Sequence, residues 1–182
     1  MNYFAYGVRG LLTFVLLVAV VGKVGRSGAF SAFVDSLRPL AAVPEPAVRA
    51  AALAVVAVES AVCLALVWPY APATRAGLLA ATALLAVFAV VLARSVSQGT
   101  AVRCRCFGRS AAPLGRAHVV RNGLLATVAG AGAAAVATGP VGGPDLGAAA
   151  VAWCAGAVVG GLVTVAEDLV SLFRPAAPSL TE

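Results

Sequence analysis

The sequence predicts an all-α protein, a polytopic bundle of transmembrane helices in a single domain. Three observations carry that prediction. Of 182 residues, 62% are hydrophobic and only 11% charged, against roughly 45–50% and about 25% in soluble domains, so the chain cannot build a water-compatible surface. The apolar residues fall into long, nearly charge-free runs. Those runs lack the ten-residue polar–apolar alternation of a barrel strand. Lipid offers backbone amides no partner, which leaves helices or a closed barrel, and the pattern selects helices.

Five runs are long enough to span, since about 20 residues at about 1.5 Å each cross a hydrocarbon core of roughly 30 Å. The first covers 3–24. Lys23 and Arg26 follow it directly, where a cleaved signal peptide is usually neutral, so it reads as a retained span despite the small-x-small triplet Ala29-Phe30-Ser31. Segment 25–49 carries Phe30, Phe33, Val34, Leu37 and Leu40 at helical spacing with Asp35 and Arg38 between them. That pattern suits a short interfacial helix. Pro39, Pro44 and Pro46 end it, and Pro46 is acceptable in the first turn of the next helix. The second run, 47–68, contains Glu59 and Cys63 and ends in Trp68-Pro69-Tyr70-Ala71-Pro72, with aromatics at interface depth. The third is 74–94. A basic loop over 95–117 follows, then a Gly- and Ala-rich fourth run over 118–138. The Gly- and Pro-rich link 139–144 leads to the fifth run, 146–173, which holds Gly156 and Gly160 in a GxxxG arrangement that favours close helix contact. Residues 1–174 read as one domain, and 175–182 as a disordered tail.

The net charge of +6 comes from 13 Lys and Arg against 7 Asp and Glu. No nucleic-acid motif accompanies it. Clustering of the cations in loops points to membrane topology and anionic lipid headgroups. Chain order puts the N-terminus, the Trp68–Pro72 turn and the 139–144 link on one side, A. Segment 25–49, the 95–117 loop and the C-terminus lie on the other, B. Two charged residues fall well inside the runs. Arg9 lies about 9 Å below side A and Glu59 about 13 Å below it. An unpaired charge at such depth costs roughly 2.5–3.5 kcal/mol even on the lenient insertion scale. Two readings are open: an Arg9–Glu59 ion pair that fixes helix register, or a polar contact for a ligand or a proton step. Cys63 and Cys154 lie about 7 Å and about 10 Å from side A, far from the loop cysteines, and read as small apolar fillers.

The stretch that carries chemistry is Cys104-Arg105-Cys106-Phe107-Gly108 in the basic loop. Thiol–disulfide exchange needs a thiolate, and cations lower a thiol's pKa; Arg103 and Arg105 flank Cys104, and Arg109 is close. A disulfide across one intervening residue closes a strained ring, which makes it a labile oxidant. Gly108 permits a turn that leaves a partner room to approach. Two other readings remain: a metal site, for which Cys104, Cys106 and His118 give three ligands where structural zinc takes four, and a pair of inert cysteines. Beside the loop, at the start of the fourth run, His118 is suited to proton transfer near neutral pH. Arg121 and Asn122 are placed to hydrogen-bond the loop backbone or a quinone-like carbonyl, or to anchor the interface.

These residues together resemble the MauE/DoxX group of redox-associated membrane proteins, MauE above all. The resemblance rests on Gly22-Lys23-Val24 at the end of the first run, the Phe-rich segment leading to prolines, and Glu59 in the second run. It rests further on the Cys104-x-Cys106-Phe107-Gly108 loop and on Arg121-Asn122 near the start of the fourth run. It covers about 3–138 and implies a four-helix DoxX-like core, with the fifth run and Cys154 beyond it. It implies a thioredoxin-fold partner or exported protein thiols as the redox counterpart, and quinone as an electron acceptor open to the relatives. Metal is not implied.

The function expected is therefore a multi-pass membrane thiol–disulfide oxidoreductase or electron-transfer subunit acting through Cys104 and Cys106. Rival expectations are a non-enzymatic membrane scaffold for a redox or maturation partner and, behind it, a small-solute transporter using Arg9 and Glu59. Side B holds eleven of the cations named here or nearby, Lys23, Arg26, Arg38, Arg49, Arg94, Arg103, Arg105, Arg109, Arg116, Arg121 and Arg174. Side A has little beyond Arg9 and Arg75. The positive-inside rule leans the loop towards the cytoplasm, whereas work on exported thiols wants it outside.

Overall fold

The computed structural model describes residues 3–38, 44–97, 116–138 and 145–172. Among them it forms six helices and no strands: α1 (Tyr3–Val24), α2 (Ala29–Leu37), α3 (Glu45–Val67), α4 (Ala71–Ser97), α5 (Arg116–Thr138) and α6 (Leu146–Leu172). Five of them, all but α2, are long and apolar enough to cross a membrane. The chain is a multi-pass integral membrane protein.

Local chemistry sets the ends. After α1 the Gly25 amide still bonds the Val21 carbonyl at 2.8 Å, and the chain then turns at Gly28, whose φ of 80° suits a residue without a Cβ. This reversal lets the nine-residue α2 lie beside the side-B end of the bundle. Pro44 precedes α3 and Pro46 occupies its first turn, where the missing N–H removes no bond. The third spanning helix runs longer than the expected 74–94. Pro72 is absorbed into its first turn for the same reason, and at the far end the run continues through the buried Ser95.

One core joins four of the helices. It contains Val8, Leu12 and Leu16 from α1, Val62 and Leu66 from α3, Leu78 and Leu85 from α4, and Leu125 and Ala129 from α5. Packed neighbours run α1–α3–α4–α5 and close back on α1, an up-down bundle. Among the described residues, none of α6 belongs to this core. That helix lies outside the bundle against α1, running parallel to it. Gly156 faces the Gly7 carbonyl, and four residues on, Gly160 faces Leu11 and Phe14. A Cβ on Gly10 would collide with the Trp153 backbone, and one on Gly160 would come within 2.7 Å of the Leu11 carbonyl oxygen. The expected GxxxG contact is thus present, and its counterpart is the glycine face of α1.

Candidate functional site

Lipid-depth polar groups are the features that an apolar bundle must justify, and α1 carries a stripe of them. Arg9, Thr13 and Lys23, with Leu16 between, recur at helical spacing and are all buried.

Arg9 is 4% exposed. Its guanidinium donates to the carbonyls of Leu66 (Nε, 2.8 Å) and Trp68 (Nη2, 3.1 Å). The Thr74 hydroxyl donates to the same Trp68 carbonyl at 3.3 Å. The last carbonyls of a helix have no partner within it, and a cation is favoured there, so Arg9 serves as the side-A cap of α3. The Tyr6 ring lies 5.1 Å from its guanidinium carbon.

Glu59 does not pair with Arg9. Its two carboxylate oxygens accept hydrogen bonds from Lys23 Nζ at 2.7 Å and 2.8 Å, with the two side chains 0% and 1% exposed. The expected Arg9–Glu59 pair fails because depth was counted at the backbone. Side chains on a helix lean towards its N-terminus. Arg9 on α1 therefore reaches outward to side A, while Lys23 near the other end reaches inward. Glu59, on the antiparallel α3, leans towards side B and meets it. Lys23 reads in sequence as a flanking topology charge. The signal for its true place was its phase, one stripe with Arg9 and Thr13. The buried Phe33 ring of α2 lies 5.2 Å from Lys23 Nζ, so the interfacial helix covers the ion pair from side B.

On α5, Asn122 is 1% exposed. Its amide nitrogen donates to the His118 carbonyl at 2.8 Å, while its Oδ1 has no partner among the described residues. His118 and Arg121 are half-buried in the same first turns. Cys104, Cys106, Arg103, Arg105 and Gly108 lie outside the described residues. The flanking ends that are described, Ser97 of α4 and Arg116 of α5, are both at side B, as are Lys23, Phe33 and Asn122. Cys63 packs against the core and Cys154 is exposed on α6; both are free thiols. Cys63 fits the filler reading, and Cys154 sits on the outer surface instead. No three His, Cys, Asp or Glu side chains stand together among the described residues.

The architecture and its buried polar stripe define a helical-bundle membrane protein with a side-B polar core. Its family is specific: the model of the family described as methylamine utilisation protein MauE matches residues 1–135, and the chain belongs to that family. Neither a curated protein nor a solved structure matches the chain. The match ends within α5, and α6 lies beyond it.

Proposed function

We propose that this protein is a membrane thiol–disulfide redox protein in which Cys104 and Cys106 exchange a disulfide with a thioredoxin-fold partner. The observation that carries the reading is the family match over 1–135, which takes in the cysteine loop, Lys23, Glu59 and the start of α5. The loop's own chemistry supports it, because three arginines around two thiols favour the thiolate.

The exchange is balanced as follows. A partner thiolate attacks one loop sulfur; the Cys104–Cys106 bond breaks, a mixed disulfide forms and one loop thiolate leaves. The partner's second thiolate attacks its own sulfur in the mixed disulfide and releases the other loop thiolate. Two electrons pass from partner to loop, and the two thiolates take up the protons the partner lost. The reverse direction uses the same steps. A membrane quinone, if it docks beside the loop, would supply the two-electron oxidant that returns the loop dithiol to its disulfide. Arg121 and His118, in the first turns of α5 beside the loop ends, support the loop and move protons.

The sidedness reading follows the exposed cations. With Arg9 and Lys23 buried, Arg26, Arg38, Arg49, Arg94 and Arg116 remain exposed at side B against Arg75 at side A. This bias favours a cytoplasmic side B.

The test is trapping. Cys104→Ser and Cys106→Ser variants are expressed in cells, thiols are quenched with acid, and disulfide-linked species are resolved without reductant. One of the two variants is expected to hold a partner as a reducible adduct, since removal of the resolving thiol stalls the exchange. If neither variant forms an adduct and the redox state of cellular thioredoxin-fold proteins is unchanged, the proposal fails.

A further inference from the structure

We propose that α2 is a lid, hinged at Gly28 and latched by Phe33, that closes the buried Lys23–Glu59 pair to water from side B and opens it again. The inference concerns access to that pair and rests neither on the loop cysteines nor on the exchange proposed for them.

The group under the lid is singular. Of the 13 Lys and Arg residues, Lys23 is the single lysine. A guanidinium keeps its proton, whereas an amine can release one and react. This amine is bonded to both Glu59 oxygens, at 2.7 Å and 2.8 Å, with the two side chains out of water. Replacing such a pair by apolar residues is often neutral or stabilising, so stability alone does not account for it. Lys23 lies in the last turn of α1, so the short route from the pair to water runs to side B.

The element on that route is α2. It packs on α1 and α3, the two helices that supply the pair. Its Phe33 ring is 2% exposed and lies 5.2 Å from Lys23 Nζ. The hold is slight. Of the nine residues of α2, Phe33 and Ser36 are the buried ones, and the Ser36 hydroxyl donates to the Phe33 carbonyl of the same helix. The outer face carries exposed Ser31 and Asp35, with Arg38 just beyond the helix 3.5 Å from the Asp35 carboxylate. A helix divided in this way also lies stably among lipid headgroups, which gives the displaced lid a resting place.

The hinge is unencumbered. Residues 24–28 are all exposed. A Cβ at Gly28 would meet nothing nearer than Ser31 Oγ at 4.0 Å, so crowding does not call for glycine there. The φ of 80° does, and a residue that adopts either sign of φ lets the segment after it swing.

The experiment treats the full chain in lipid nanodiscs with the water-soluble amine reagent sulfosuccinimidyl acetate and follows acylation of the Lys23 peptide by mass spectrometry. Hydrogen exchange of the α3 amides is followed in parallel as the measure of global opening. Each rate is divided by that of the denatured chain. The expected result is that Lys23 of the native chain is at least tenfold less protected than the α3 amides. Phe33→Ala speeds acylation about tenfold or more, the worth of the buried ring. Gly28→Ala speeds it about fivefold or more, because a residue with a Cβ is disfavoured at that φ. The α3 amides stay as protected as in the native chain. If Phe33→Ala loosens the whole bundle, seen as faster α3 exchange, the native chain and Gly28→Ala decide. Equal protection of Lys23 and α3 in the native chain, or a native acylation rate in either folded variant, overturns the lid.

Discussion

At the scale of single residues, the buried charges show how much a sequence tells and where it stops. Arg9 and Glu59 are conspicuous as charges in apolar runs, and both are buried. Their partners were not legible, because depth along a helix is a backbone count while pairing depends on the direction in which side chains lean. Lys23 shows the converse. A lysine at a span's end is expected to snorkel to the headgroups, yet here it turns inward to Glu59. Breaking that pair should be far worse than removing it. Lys23→Met leaves a buried carboxylate without its counter-ion and is expected to cost about 3–5 kcal/mol, while Lys23→Met/Glu59→Met should recover most of that loss. Reversible denaturant titration of the two variants in micelles checks this. A double variant as unstable as the single one would mean that the pair contributes more than charge compensation.

At the scale of elements, spans were readable because length and apolarity are local. The bounds of α1 matched, and α2 followed from its amphipathic spacing. The ends of α4 shifted outward because a first-turn proline does not stop a helix. The partner of α6 was not readable, since GxxxG announces a close approach and not what is approached. Gly156 and Gly160 meet the backbone of α1 around Gly7 and Leu11. There a new side chain meets main chain that cannot step aside. Gly156→Leu is therefore expected to release α6 from α1 and leave the four-helix core intact, because none of the described residues of α6 belongs to that core. When 1–138 and 139–182 are co-expressed as two pieces, the native pair should co-purify and the Gly156→Leu pair should not. Unchanged co-purification would contradict the glycine contact as the main attachment.

At the scale of the whole molecule, the family match over 1–135 takes in nearly all of the four helices that share the core, and the fifth span packs outside it against α1. The polar groups divide along that core: Arg9 caps a helix at side A, Lys23 pairs with Glu59 towards side B, and Asn122 is buried near the side-B start of α5. The resemblance to MauE was legible because the Cys-x-Cys-Phe-Gly loop and the Arg121-Asn122 pair are local motifs. The Lys23–Glu59 pair was not, since it joins two helices 36 residues apart in sequence. The central claim is that the two loop cysteines cycle between dithiol and disulfide. Its most direct measurement is alkylation of intact cells carrying a Cys63→Ala/Cys154→Ala variant, using a membrane-impermeant maleimide before and after reduction, then repeated on permeabilised cells. The account predicts two redox forms, with label added only after reduction to the oxidised one, and protection until permeabilisation if side B is cytoplasmic as its exposed arginines favour. Full labelling of both cysteines without reductant, under oxidising and reducing growth alike, would contradict the account.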